Sequence, residues 1–132
     1  AVIAWLLGEQ RGKAAGGILA SADAVLASDL TLVECDRVLI RAVASGAIRE
    51  ADAAGRRATL AAISNRWHVL RVSTEIVERA RRAFPNEPVR ALDALHLSSA
   101  LVGRRAMPDA GLLSLDERIR ANATALGFAV LP

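Results

Sequence analysis

Tyrosine is missing from the chain, and aromatic residues make up only 3% of it: two tryptophans and two phenylalanines. So few large rings serve a β-sandwich core poorly. The 53% of hydrophobic residues is largely alanine and aliphatic, which favours closely packed helices. Lysine is nearly missing as well: of 17 basic residues only Lys13 is lysine, and the other 16 are arginine. The single Cys35 excludes an internal disulfide and fits a reducing, cytoplasmic setting. No run of about 18 uncharged apolar residues occurs, so no membrane span is expected. No signal-peptide pattern is present either.

At 132 residues the chain has the length of one domain with a real core, and no repeat, linker or low-complexity tract divides it. Net charge is +3 with a pI near 10.4. Guanidinium forks suit phosphate, which points to a polyanionic partner. GC-rich coding, which writes Arg for Lys, accounts for the same excess, and net charge alone does not choose between the two.

Hydrophobic periodicity predicts helices over residues 1–8 and 10–22, then a short strand at 24–28. Helices follow from the strand to Gly46 and over 48–66. "WHVLRV" (67–72) alternates like a strand, and 74–84 reads as helix until the prolines of "FPNEP" break it. "VRALDALHLSSALVGR" is helical to Gly103, "AGLLSL" (110–115) is a buried strand, and 116–126 is a helix closed by Gly127. "FAVL" is a last strand. Strands alternating with helices predict an α/β fold with a mostly parallel sheet.

In such sheets ligands gather at strand ends, where helices begin. Three acids stand near such places: Glu34 in the first turn after the strand at 24–28, Asp116 directly after "LLSL", and Asp93 early in its helix inside the apolar phrase "ALDALHL". Each has a plain structural reading. Thr31-Leu-Val-Glu34 and Ser114-Leu-Asp-Glu117 have capping-box spacing, and an acid in a first helical turn suits the dipole. Taken together they point elsewhere, because Glu34 and Asp93 sit among core-facing residues where an unpaired carboxylate is costly. Oxygen-only ligands of this kind suit Mg²⁺ or Mn²⁺, and such a site activates water and clamps phosphoryl oxygens.

Other chemistries fit less well. His68 and His96 lack zinc-site spacing, and the carboxylate beside Cys35 discourages a thiolate. "GKAAGG" has neither the strand nor the spacing of a phosphate loop. Ser98 and Ser99 lie mid-helix, away from any nucleophile elbow.

"SDLTLVE" resembles the S-x-L-T-x-x-E segment of PIN-domain proteins, and "LDALHLSSAL" resembles their D-A-x-H-L helix. "LLSLD" with "ALGFAVL" resembles their closing S/T-x-D strand and last β-strand. The order and spacing are similar to those of VapC-type toxins of bacterial toxin–antitoxin pairs. The resemblance implies a three-layer α/β/α sandwich around a five-stranded parallel sheet, and metal-dependent endoribonuclease activity. It also implies Glu34, Asp93 and Asp116 as catalytic, metal-binding carboxylates with Mg²⁺ or Mn²⁺. Ser114 would be the supporting hydroxyl, and Thr31 would orient the turn of Glu34. The family pattern begins with a strand ending in aspartate before a helix like "VIAWLLGE", so a first strand is expected ahead of Ala1.

The implied partners are an RNA substrate of the tRNA or rRNA class, a protein antitoxin, and a second copy of the chain. The homodimer would involve Val2, Trp5 and Leu6 of the apolar first helix. Arg37 and Arg90 are expected to grip phosphates, and an ion pair of Arg37 with Glu34 or Asp36 is the alternative. The competing functional reading is a non-catalytic PIN-like module that binds RNA or protein.

Overall fold

The computed structural model describes residues 1–132. Seven helices and four short strands follow one another: α1 (Val2–Leu6), α2 (Gly12–Ser21), β1 (Leu26–Ser28), α3 (Asp29–Ala44), α4 (Glu50–Ser64), β2 (His68–Leu70), α5 (Thr74–Ala80), α6 (Ala91–Gly103), β3 (Leu112–Leu113), α7 (Glu117–Ala125) and β4 (Val130–Leu131). This is the expected alternation, with every strand shorter than its apolar run. No helix is long and apolar enough to cross a membrane. The residues form two compact units, Val2–Val69 and Leu70–Pro132 with Ala1.

In Val2–Val69, Leu6, Cys35, Leu39, Ala53 and Leu60 form the buried core. Val2, Ile3 and Trp5 pack against it half-buried, so the apolar face of α1 is used within its own unit. Each large aliphatic side chain buried this way contributes about 1.5–3 kcal/mol. Glycine lets α2 come close to α1: a Cβ on Gly12 would lie 2.2 Å from the Trp5 backbone nitrogen, and one on Gly16 would lie 2.2 Å from the Trp5 ring. "GKAAGG" is therefore a helix-packing segment. Arg56 Nη1 donates to Leu6 O at 2.6 Å and satisfies a carbonyl at the end of α1. β1 pairs with β2, and beside that ladder His68 N donates to Val25 O at 2.8 Å.

In the second unit Phe84, Ala94, Leu97, Ala123 and Phe128 are the core, bringing α6, α7 and the last strand together. β3 and β4 run parallel, Leu112 opposite Val130 and Leu113 opposite Leu131. Two arginines are built into this unit. Arg104 stacks over Phe128 at 4.3 Å and donates to Leu126 O. Arg120 Nη1 donates to Ser114 O at 2.9 Å and to Leu131 O at 2.6 Å, tying together the chain segments where β3 and β4 end. Part of the arginine excess is thus structural.

Candidate functional site

Asp93 and Asp116 sit where helices begin, whereas Glu34 lies one turn deeper than the first-turn place expected for it, because α3 already starts at Asp29. Asp116 is the N-cap of α7, and its Oδ1 accepts from Arg118 N at 2.8 Å and Ile119 N at 3.3 Å. Both bonds fall on one oxygen, and Oδ2 takes none. Ser114 is buried, and its Oγ accepts from Asp116 N at 3.2 Å, so this hydroxyl fixes the backbone that presents the carboxylate. The cap is Asp116 itself, not Ser114 as the capping-box spacing reads, because the chain stays extended through Asp116.

Asp93 lies in the first turn of α6, whose N-cap Arg90 supplies no side-chain bond. Its side chain is half-buried beside core residues Ala94 and Leu97 and takes no hydrogen bond or ion pair within the chain. Both of its carboxylate oxygens are thus open to an outside cation.

Glu34 lies in the second turn of α3 and is half-buried. Here too the cap differs from the Thr31–Glu34 reading. Ser28 is the N-cap: its Oγ accepts from Leu30 N at 3.2 Å and donates to Asp29 Oδ1 at 3.3 Å. Thr31 is half-buried in the first turn and makes no side-chain hydrogen bond. Arg37, one turn after Glu34, is exposed and forms no ion pair with Glu34 or Asp36.

Ser28 is the residue that sequence reasoning missed at this end. Its signal was the Ser-Asp pair ending an apolar run, an N-cap followed by a first-turn acid. Ser73 does the same after β2, accepting from Ile76 N at 3.3 Å. Three strand-to-helix junctions therefore carry a serine that holds the turn.

The acids are divided between the units, with Glu34 in Val2–Val69 and Asp93 and Asp116 in Leu70–Pro132. Neither unit by itself groups three His, Cys, Asp or Glu side chains as a metal site. The donor chemistry fits a hard divalent cation: oxygen atoms only, among them the unpartnered Asp93 carboxylate and Asp116 Oδ2.

The family model described as the PIN domain matches residues 1–125. The chain belongs to the PIN-domain family. Within it the chain is similar to Ribonuclease VapC35 of Mycobacterium tuberculosis, strains CDC 1551 / Oshkosh and ATCC 25618 / H37Rv. Identity to each is 34% over 56 residues, covering 42% of this chain and 42% of the relative. The match thus spans less than half the length of these relatives. PIN membership agrees with the α/β alternation and with the parallel β3–β4 pair.

Elsewhere in this PIN chain Cys35 is fully buried. Burial and the neighbouring Glu34 and Asp36 carboxylates push its thiol up to about 11. A thiol so placed is no nucleophile.

Proposed function

We propose that this PIN-domain chain is a metal-dependent endoribonuclease, the toxin of a toxin–antitoxin pair, in which Glu34, Asp93 and Asp116 are the catalytic carboxylates. The observation that carries the reading is Asp116. It ends the β3 segment as a helix cap, Ser114 fixes its backbone, and one oxygen serves the helix while the other stays open. The similarity to a relative named a ribonuclease supports the choice of RNA.

Glu34, Asp93 and Asp116 would hold Mg²⁺ or Mn²⁺. When bound, such an ion supplies Lewis acidity toward a phosphoryl oxygen and toward the attacking water. The chain's own parts do the rest. The amides of Arg118 and Ile119 hold the Asp116 carboxylate, Ser114 fixes the Asp116 backbone, and the first turn of α6 presents Asp93. As the water oxygen bonds to phosphorus, its proton passes to a carboxylate oxygen not engaged with the ion or to solvent. The bond from phosphorus to the ribose oxygen breaks, and that oxygen takes a proton back from the same source as the strand is cut. Arg37 and Arg90, both exposed and without side-chain partners, hold flanking phosphates. The proposed partners are RNA of the tRNA or rRNA class, a protein antitoxin, and a second copy of the chain. The three-layer sandwich is the arrangement proposed for the fold.

The test compares cleavage of total cellular RNA, with Mg²⁺ or Mn²⁺, by the protein and its Glu34→Gln, Asp93→Asn and Asp116→Asn variants. Each variant should lose at least about 10²-fold in rate while melting near the parent temperature. Equal cleavage by all four, or none by the parent, favours the non-catalytic RNA- or protein-binding module.

A further inference from the structure

Within Leu70–Pro132 a cavity of about 580 Å³ lies between the 86–90 segment and one face of α7. That volume falls within the roughly 300–1,000 Å³ of sites that take small organic molecules. The cavity adjoins the candidate acids in sequence on both sides. Arg90 is the N-cap of α6, three residues before Asp93, and Arg118 follows Asp116 by two residues in the first turn of α7.

Its wall is chemically divided. Pro88, Val89 and Ala121 give an apolar surface. The buried Asn122 is saturated: it accepts from Asn86 N and donates to Asn86 O and Arg118 O. Glu87 is committed to the amides of Phe84 at 2.9 Å and Val89 at 2.6 Å. Glu117 reaches Arg120 at 3.9 Å. What remains uncommitted is the pair of guanidinium groups on Arg90 and Arg118. This sets them apart from Arg49, Arg57, Arg81 and Arg105, each paired with an acid, and from Arg104 and Arg120, which serve backbone carbonyls.

We infer that this cavity holds one nucleotide of a single-stranded RNA, next to the phosphate attacked at the neighbouring acids. The inference rests on the ribonuclease reading and adds a subsite to it. The base lies against Pro88, Val89 and Ala121, where an arginine plane can stack on it. Its flanking phosphates meet Arg90 and Arg118. The charge balance selects this ligand class. Two guanidinium groups and two carboxylates line the cavity, which suits an apolar ring carrying one charge per phosphodiester. With two cations and two anions on the wall, the charges balance and leave no positive surplus for a polyphosphate. A strand threaded here also needs unpaired bases, so the cavity selects single-stranded segments over duplex.

The test measures binding, and cleavage of the same RNA by each variant is read separately with Mg²⁺ or Mn²⁺. Fluorescently labelled single-stranded RNA and a matched RNA duplex are titrated with the protein in EDTA, by anisotropy, over a range of salt. The variants are Arg90→Gln, Arg118→Gln, Ala121→Trp, which fills the cavity while keeping both arginines, and Arg66→Gln, an exposed control outside the cavity. The parent should prefer the single strand. Each cavity arginine variant should bind several-fold more weakly and lower the slope of log affinity against log salt by about 0.7. Ala121→Trp should lose affinity with its slope nearly unchanged, and Arg66→Gln should match the parent. If the cavity variants bind and cleave like the parent, the subsite is overturned and the ribonuclease reading stands. If Ala121→Trp binds normally while the arginine variants fail, the arginines are surface contacts and the cavity is not occupied. If the parent neither binds nor cuts RNA, the ribonuclease reading falls with the subsite.

Discussion

Asn86 and Asn122 hold each other across 36 positions of sequence. Asn86 N donates to Asn122 Oδ1 at 2.9 Å, and Asn122 Nδ2 donates back to Asn86 O at 3.0 Å. Asn122 is 1% exposed, so these bonds pin the 86–90 segment to α7 and form one wall of the cavity. Asn122→Ala should cost about 2–3 kcal/mol, because it leaves backbone groups of Asn86 unpaired. Asn122→Asp should cost at least as much, since the carboxylate cannot donate and its charge is buried. Urea denaturation of the two variants beside the parent checks both.

Asp116 has a structural duty and a proposed chemical one, and two substitutions separate them. Asp116→Asn keeps an oxygen for the amides of Arg118 and Ile119, so it should melt near the parent temperature and still lose cleavage. Asp116→Ala loses the cap and should be less stable by about 1 kcal/mol. If Asp116→Asn cleaves RNA at the parent rate, Asp116 is a cap and nothing more.

Three glycines of α2 should respond in order. At Gly12 a new Cβ meets the Trp5 and Ala4 backbone at 2.2–2.4 Å, at Gly16 it meets the Trp5 ring, and at Gly17 it meets nothing within 4 Å. Gly12→Ala should fall at or above the upper end of the about 1–3 kcal/mol cost of overpacking. Gly16→Ala should cost less, because a ring can shift where backbone cannot. Gly17→Ala should stabilise by about 0.5–1 kcal/mol through helix propensity. Thermal melts rank the three.

The raised thiol of Cys35 makes stability depend on alkaline pH. The unfolded thiol ionises near 9.0 and the folded one near 11. Below pH 9.0 both states keep the proton and Cys35 adds no slope. Between the two values only the unfolded state releases it, so stability should fall as pH rises, by about 2–3 kcal/mol in total. With no tyrosine and one lysine, few other groups titrate in this window. Denaturation midpoints at pH 8 and 10.5 should differ for the parent and much less for Cys35→Ala. A thiol reagent at pH 8 should label the unfolded chain and spare the folded one.

Ser98 Oγ is buried in α6 with no hydrogen-bond partner. Ser98→Ala removes an unsatisfied group at little loss of volume, so it should be neutral or stabilising by up to about 1–2 kcal/mol. Ser99→Ala differs little, because Ser99 Oγ only donates back to Leu95 O at 2.8 Å in its own helix. Calorimetry of the two variants compares them.

Element order was readable because it is local. Apolar spacing sets which stretches coil, and Gly8, Gly46 and Gly127, with φ of 75, 73 and 81°, end helices in a conformation that other residues resist. Asp93 and Asp116 could be placed at helix starts for the same reason. The extent of each strand could not be read. The runs at 67–72 and 110–115 shrink to His68–Leu70 and Leu112–Leu113, because a strand lasts only as far as a distant segment supplies hydrogen bonds.

Composition showed an arginine excess without showing its use. Arg120 is spent on the ends of β3 and β4, and Arg104 on Phe128, while Arg90 and Arg118 stand open beside a cavity. That division depends on which carbonyls, rings and carboxylates the fold brings within reach of each guanidinium. Spacing along the chain carries no record of it. The helices and candidate acids were thus determined by sequence, and the cavity with its two free arginines was decided by tertiary structure, since hydrogen-bond partners are assigned in space.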